Sequence, residues 1–366
     1  MKKIAMVLPN NIYLAPYVRK YISILDNCQV DLIYWDRFDM EEPIEGLNKI
    51  HRHINKMSHV NSEVSQIEKL KKYYKFARYV KRICKKEKYD YIIIFQPMMA
   101  LMYALTRCFA GLKKVIVDVR DFTYEHSSLF RRAEKIIFKK SKFVVISSPF
   151  YKEFLPQNAK YVVMENMNTV SAETIKAARA KDKSGSERIK IGYIGLVRFF
   201  EQNIKIIDKF ASDERFELLY IGKGSEMFEK YIEENAINNV TLIPQFDPSE
   251  TEKYFASVDL IQNIYGSGRD KLKYALSNKL YYAAMLGEPI LVSPGTCMEK
   301  LTQEYSFGFS CDENDEQLAD KIYEYYKTLK WDKFYENCDR FINDVVENEK
   351  IMKDAFKMLQ ETSYEE

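Results

Sequence analysis

Short apolar runs recur along the chain at the spacing of β-α-β units, and between them apolar residues return every three or four positions. In the first half, Ile4–Leu8, Val30–Tyr34, Tyr91–Phe95, Val115–Asp118, Phe143–Ser147 and Tyr161–Met164 predict strands, while Tyr17–Leu25, Ser65–Lys86, Met98–Phe109 and Leu129–Lys139 predict helices. The alternation restarts with Ile189–Ile194, Glu217–Ile221, Val240–Ile243, Leu260–Asn263 and Pro289–Val292. Runs without polar alternation suit parallel strands covered on both faces. A polar, turn-rich stretch, A-K-D-K-S-G-S-E-R at 180–188, separates the two series and reads as a junction. From Trp331 onward the pattern is helical. The expectation is an α/β chain of two doubly wound domains, 1–180 and 189–330, followed by helices over 331–366.

The length of 366 residues and a 46% hydrophobic content suffice for two cores. No apolar run approaches the roughly 18 residues of a membrane span. The start, M-K-K-I-A-M-V-L-P-N-N, has too short an apolar stretch for a leader and reads as a first buried strand. Cys28, Cys84, Cys108, Cys297, Cys311 and Cys338 show no C-x-x-C spacing, so reduced thiols in the cytoplasm are expected, with neither a zinc site nor a disulfide framework. The net charge of +3 hides an asymmetry: residues 1–170 hold 30 Lys+Arg against 17 Asp+Glu, and the remainder 26 against 36. The densest basic stretch, 69–88, carries ten Lys/Arg around an apolar stripe of Leu70, Tyr73 or Tyr74, Phe76, Val80 and Ile83. Such a basic amphipathic helix fits an anionic lipid surface, and no nucleic-acid-binding motif accompanies it. His51, His53 and His59 lie in a polar connector without a partner pattern and read as solvated.

Ligands of doubly wound folds sit beyond the carboxyl ends of the strands. There the second half reads I-G-Y-I-G-L-V-R-F-F, with Gly195 for a tight turn and Arg198 in the loop opening a helix, a competent phosphate site. The next strand ends L-Y-I-G-K-G, placing Gly222 and Gly224 at a second loop of close backbone approach. The strongest signal is S-N-K-L-Y-Y-A-A-M-L-G-E-P-I-L-V-S at 277–293, in which Ser277 and Asn278 can cap a helix and Lys279 is turned toward an anion. With these segments, and with N-V-T-L-I-P-Q-F, Y-F-A-S-V-D-L and G-F-S-C-D-E-N-D-E-Q-L-A, the chain resembles GT-B glycosyltransferases of the retaining family-4 type found in bacterial capsule and O-antigen clusters. In the first half A-P-Y-V-R-K, I-Y-W-D-R and V-D-V-R-D-F carry the resemblance more thinly.

The resemblance implies two Rossmann-like domains facing a cleft, with the last helices crossing back to the first domain. It implies sugar transfer from a nucleotide-diphosphate donor on the second domain to an acceptor, a lipid-linked (polyprenyl-diphosphate) saccharide, on the first. Arg198, Gly195, Lys279, Ser277 and Asn278 match the diphosphate site, and Gly222, Gly224 and Tyr282 the nucleoside side. Asp121 and Arg120, in the D-x-R-D loop, match the position facing the reacting sugar, with Asn10, Asn11 and His126 on the acceptor side. No metal and no cofactor are expected, since cations and helix-end amides can stabilise the leaving diphosphate. Three positions depart from the family: Tyr282 stands for the Glu that holds the donor ribose, Arg120 for a loop His, and Pro9, Asn10 and Asn11 for a Gly-Gly pair. The expected place of work is the cytoplasmic face of the membrane. Two other readings stay open: a non-catalytic GT-B partner that binds a glycan or another transferase, and a sugar-nucleotide epimerase.

Overall fold

The structure, a computed structural model, describes residues 1–40, 42, 50–57, 65–183, 188–266 and 270–361. His59 and residues 184–187 of the expected junction fall outside them. The chain divides into two compact units, Met1–Glu165 with Glu347–Glu366, and Asn166–Val346.

In the first unit β1 (Lys3–Leu8), α1 (Tyr17–Ile24), β2 (Gln29–Asp36) and β3 (His51–Lys56) are followed by α2 (Gln66–Glu87), β4 (Tyr91–Phe95) and α3 (Pro97–Thr106). Then come β5 (Val115–Val119), α4 (Ser128–Lys140), β6 (Phe143–Ile146) and β7 (Tyr161–Val163). The strands form one parallel sheet in the order β3-β2-β1-β4-β5-β6-β7. Its central strands are buried throughout, which is why they read as unbroken apolar runs. Ser65 caps α2 by accepting the Glu68 amide at 3.3 Å, and Lys88 closes it in a left-handed conformation. Of the apolar stripe expected on this helix, Phe76 and Val80 are buried in the protein rather than offered to a surface.

The second unit runs α5 (Ala172–Arg179), β8 (Ile189–Ile194), α6 (Phe200–Phe210), β9 (Phe216–Ile221), α7 (Glu229–Glu234), β10 (Val240–Ile243), α8 (Thr251–Phe255) and β11 (Leu260–Asn263). It continues with α9 (Asp270–Lys273), α10 (Asn278–Leu286), β12 (Ile290–Val292), α11 (Cys297–Glu304), β13 (Gly308–Ser310) and α12 (Leu318–Thr328). The parallel order is β10-β9-β8-β11-β12-β13, so the winding reverses between β8 and β11. The last helix, α13 (Trp331–Glu361), begins in the second unit and ends in the first. There Met352, Phe356 and Leu359 join the core made by Tyr21, Phe95 and Phe143.

Two strands lie outside the expected set. β3, H-R-H-I-N-K, is an edge strand with no buried residue, so it lacks an apolar run. β13 has only three half-buried residues. The first unit also ends at Glu165, earlier than the 180–188 stretch, because α5 packs within the second unit, where Glu252 accepts from the Ser171 amide at 2.9 Å and the Thr174 hydroxyl at 3.0 Å.

On the inward face of α4, Glu134 is buried, and neither carboxylate oxygen has a hydrogen-bond partner among the described residues. Burial, reinforced by the charge of Glu125, pushes its pKa up to about 8. The folded state therefore holds a proton that the unfolded chain releases near its ordinary value of 4.5. The stability this proton contributes is full below that value and is lost as the pH rises through about 8. Glu134→Gln keeps the neutral shape at every pH. It should flatten this part of the stability profile and melt about 2–4 °C above the parent at alkaline pH, as thermal unfolding across the pH range will show.

Candidate functional site

The reversal of winding in the second unit places the ends of β8 and β11 side by side, where a doubly wound sheet leaves a crevice. Beyond β8 the chain turns at Gly195, whose φ is +111°, and the next loop turns at Gly222 with φ +127°. The loops lie backbone on backbone: the Gly195 amide donates to the Ile221 carbonyl at 2.8 Å and the Val197 amide to that of Lys223 at 2.9 Å. A Cβ on Gly222 would stand 2.1 Å from the Gly195 carbonyl oxygen, and one on Gly224 2.4 Å from that of Val197. A Cβ on Gly195 would instead meet no atom within 4 Å. One glycine closes the loops together, and the other leaves room above them.

Arg198 is exposed, with no carboxylate partner among the described residues. After it Phe199, at φ +65°, opens α6 without a side-chain cap, so the first amides of that helix face outward unpaired by a capping group. Beneath, the buried Asn203 donates to the carbonyls of Arg198 at 2.6 Å and Phe199 at 2.9 Å and accepts from Gln262 of β11 at 2.9 Å. This polar stem fixes the loop to the sheet. Beyond β12, Ser293 does the same for the end of β11, its hydroxyl accepting the amides of Tyr265 at 2.9 Å and Gly266 at 3.1 Å.

Lys279 enters from α10, whose cap Ser277 accepts the Lys279 amide at 3.3 Å. Its ammonium is buried, 3.7 Å from the centre of the Tyr193 ring and 2.9 Å from the Tyr265 hydroxyl, with no carboxylate partner among the described residues. Burial lowers its pKa, with Tyr265 opposing and the charge of Arg198 assisting. Two cations with no carboxylate partner among the described residues, an uncapped helix start and the rings of Phe199 and Tyr265 make a receptor for a multiply charged anion that carries a flat or apolar group.

No protein-family model and no curated protein sequence matches the chain. Solved structures do match over nearly its whole length. Sucrose-phosphate synthase from Thermosynechococcus elongatus superposes with a TM-score of 0.70 at 13% identity, covering 98% of each chain. HepE from Anabaena, solved with UDP, gives 0.67 at 15% identity over 99% of this chain and 100% of that one. WaaG, a glycosyltransferase involved in lipopolysaccharide biosynthesis, gives 0.63 at 14% identity over 98% and 100%. The fold is GT-B. Identities this low establish the architecture and leave activity to the residues themselves.

Within this GT-B chain the expected donor-side residues separate. Gly195, Arg198 and Lys279 belong to one constellation, with Ser277 as its cap and Gly222 and Gly224 supporting the loop, while Asn278 is exposed at the helix start. Tyr282 lies elsewhere: its ring stacks on Phe255 at 4.2 Å and its hydroxyl accepts from Asn168 at 3.4 Å, so one face of the ring is taken by packing. Tyr193, Asn203, Gln262 and Ser293 were not singled out by sequence; a polar residue on the apolar face of α6 and another inside a buried strand were the available signals.

In the first unit Arg120 is corrected from a substrate-facing group to a buried support. Its guanidinium clasps Asp118 through two hydrogen bonds of 2.7 and 2.8 Å, donates to the Met164 carbonyl at 3.2 Å and lies 4.5 Å from the centre of the Tyr17 ring. Tyr21 donates to the same Asp118 carboxylate. Burial would lower the arginine pKa; the charge and hydrogen bonds of Asp118, with the neighbouring Tyr21 and Tyr17, together more than reverse this. Asp121 is the exposed acid of that loop, and His126 is exposed as well. Asn11 is likewise a support: wholly buried, it donates to Asp36 at 2.9 Å and accepts the Arg37 amide at 2.8 Å, while Asn10 accepts the Asn11 amide at 3.0 Å.

The two glycines separate folding from binding. Gly195→Ala should cost only the backbone strain of its φ, about 1–3 kcal/mol, and place a methyl over the loop. Gly222→Ala adds to a similar strain a clash with backbone and should destabilise distinctly more in urea unfolding.

Proposed function

We propose that the chain is a glycosyltransferase that moves a sugar from a nucleoside-diphosphate donor, held by the second unit, to a lipid-linked saccharide met by the first, in the building of a bacterial surface polysaccharide. The observation that carries the reading is the pair Lys279 and Arg198, a buried and an exposed cation at the switch point of the second sheet with no carboxylate partner among the described residues. As the glycosidic bond breaks, the leaving diphosphate gains charge. Cations already in place then stabilise the transition state more than the bound donor. Retention at the anomeric carbon and transfer without a metal belong to the same proposal and rest on the sequence resemblance. HepE, solved with UDP-glucose, makes uridine the first base to try.

Thermal unfolding with uridine, guanosine and cytidine diphosphates tests it. One of them should raise the melting temperature by several degrees, and Arg198→Ala should lose most of that shift. No shift with any of the three would overturn the donor site. Because burial lowers the Lys279 pKa, rising alkaline pH removes its charge, so nucleotide affinity should weaken as the pH climbs. Lys279→Met should bind weakly and without that slope, which calorimetry across the alkaline range will measure.

A second reading, a binding partner without turnover, is favoured by Tyr282, which stands where the family's ribose-holding Glu is expected and packs on Phe255. Nucleotide binding with neither donor hydrolysis nor transfer to any acceptor would select it.

Contact with an anionic membrane belongs to the proposal through the part of the expected stripe of α2 that stays exposed, extended by Ile67. Ile67, Leu70 and Tyr74 are exposed there, beside the exposed Lys71, Lys75 and Arg78. The protein should sediment with vesicles containing phosphatidylglycerol and not with phosphatidylcholine alone. Ile67→Glu with Leu70→Glu should reduce that binding severalfold, and sedimentation unchanged by them would exclude this face.

A further inference from the structure

At the opposite end of the first sheet from its ligand-facing ends, β2 and β3 bring together three side chains that the sequence reading left apart. Asp31 pairs in register with His51, and His53 follows two residues on, so all three project from the same face of the sheet. Asp31 is completely buried, whereas His51 and His53 retain 65% and 11% side-chain exposure. His53 Nε2 lies 3.5 Å and His51 Nδ1 3.9 Å from Asp31 Oδ2, and one ligand atom from each residue lies within 4.8 Å of the other two.

We infer that Asp31, His51 and His53 form a binding site for a divalent transition ion of borderline softness, with Zn2+ as the type. Two imidazoles and one carboxylate are a ligand set suited to such an ion, and a water can take the fourth tetrahedral position. The neighbouring groups leave the carboxylate available. Lys3 stands 3.7 Å from Asp31 Oδ2, but its close partner is Glu87 at 2.6 Å. Tyr89 donates to Oδ2 at 2.6 Å and approaches His53 Nε2 at 3.4 Å, so its hydroxyl borders the same two atoms. Asp31 Oδ1 is buried with no hydrogen-bond partner among the described residues, an unusual state for a carboxylate oxygen. Because Asp31 and His51 sit toward the amino ends of their strands, away from the ligand-facing ends, an ion there would pin the polar edge strand β3, which buries nothing of its own, to β2.

The test uses the full chain without a histidine tag, stripped with EDTA and dialysed free of metal. Titration with ZnCl2 against a chromophoric chelator should show one bound ion, and the melting temperature should rise with it. His51→Gln, exposed enough to leave the fold intact, should weaken Zn2+ binding roughly tenfold or more, and His53→Gln should do the same. Co2+ in place of Zn2+ should give tetrahedral absorption without a thiolate charge-transfer band. Failure to bind at about 10 μM free Zn2+, equal binding by a variant that combines His51→Gln with His53→Gln, or a thiolate band would each overturn the site, the last two by placing the ion elsewhere.

Discussion

A parallel sheet covered on both faces gives a polar side chain few places to go. The ladder consumes the backbone groups, helices seal the faces, and only strand ends and edges meet water. Both sheets of this chain obey that constraint. Its chemistry-bearing side chains accordingly collect at three places: the ends of β8 and β11, the ends of β1, β2 and β5, and the edge formed by β3. The proposed donor site and the proposed metal site are two results of one exclusion.

Polar groups that do enter the interior act as fasteners for those ends. Asn203 and Gln262 tie the carbonyls of Arg198 and Phe199 to the sheet. Asp118, shared by Arg120 and Tyr21, does the same beneath the D-x-R-D loop. Asn11 fastens the end of β1 to that of β2. Lys279 is not such a fastener: among the described residues its buried charge is met by a ring face and a hydroxyl and by no carboxylate. A desolvated ammonium left in that condition is costly, and a bound anion offsets the cost.

The interior strands were legible because burial on both faces writes them as apolar runs; β4 and β11 were read at their observed limits. β3 was illegible for the converse reason, as an edge needs no apolar face, and its two histidines looked merely solvated. Lys279 could be read from the S-N-K segment, but the direction of Arg120 could not be read from D-x-R-D alone. Alternation along β5 does put positions 118 and 120 on one side, and that period of two was the overlooked signal. The roles of Asn203 and Tyr282 depend on neighbours distant in sequence, Gln262 and Phe255, which no local pattern supplies.

The last helix has a consequence for how the chain is made. Phe356 packs at 5.6 Å from the Tyr21 ring and 5.3 Å from that of Phe143, and Glu349 pairs with Lys20, so the first unit is walled partly by residues from the far end of the chain. A chain emerging from the ribosome can complete the second unit's sheet while the first still lacks that wall, with Tyr21 and Phe143 uncovered on one side. The half that is synthesised first is thus the half whose core closes last.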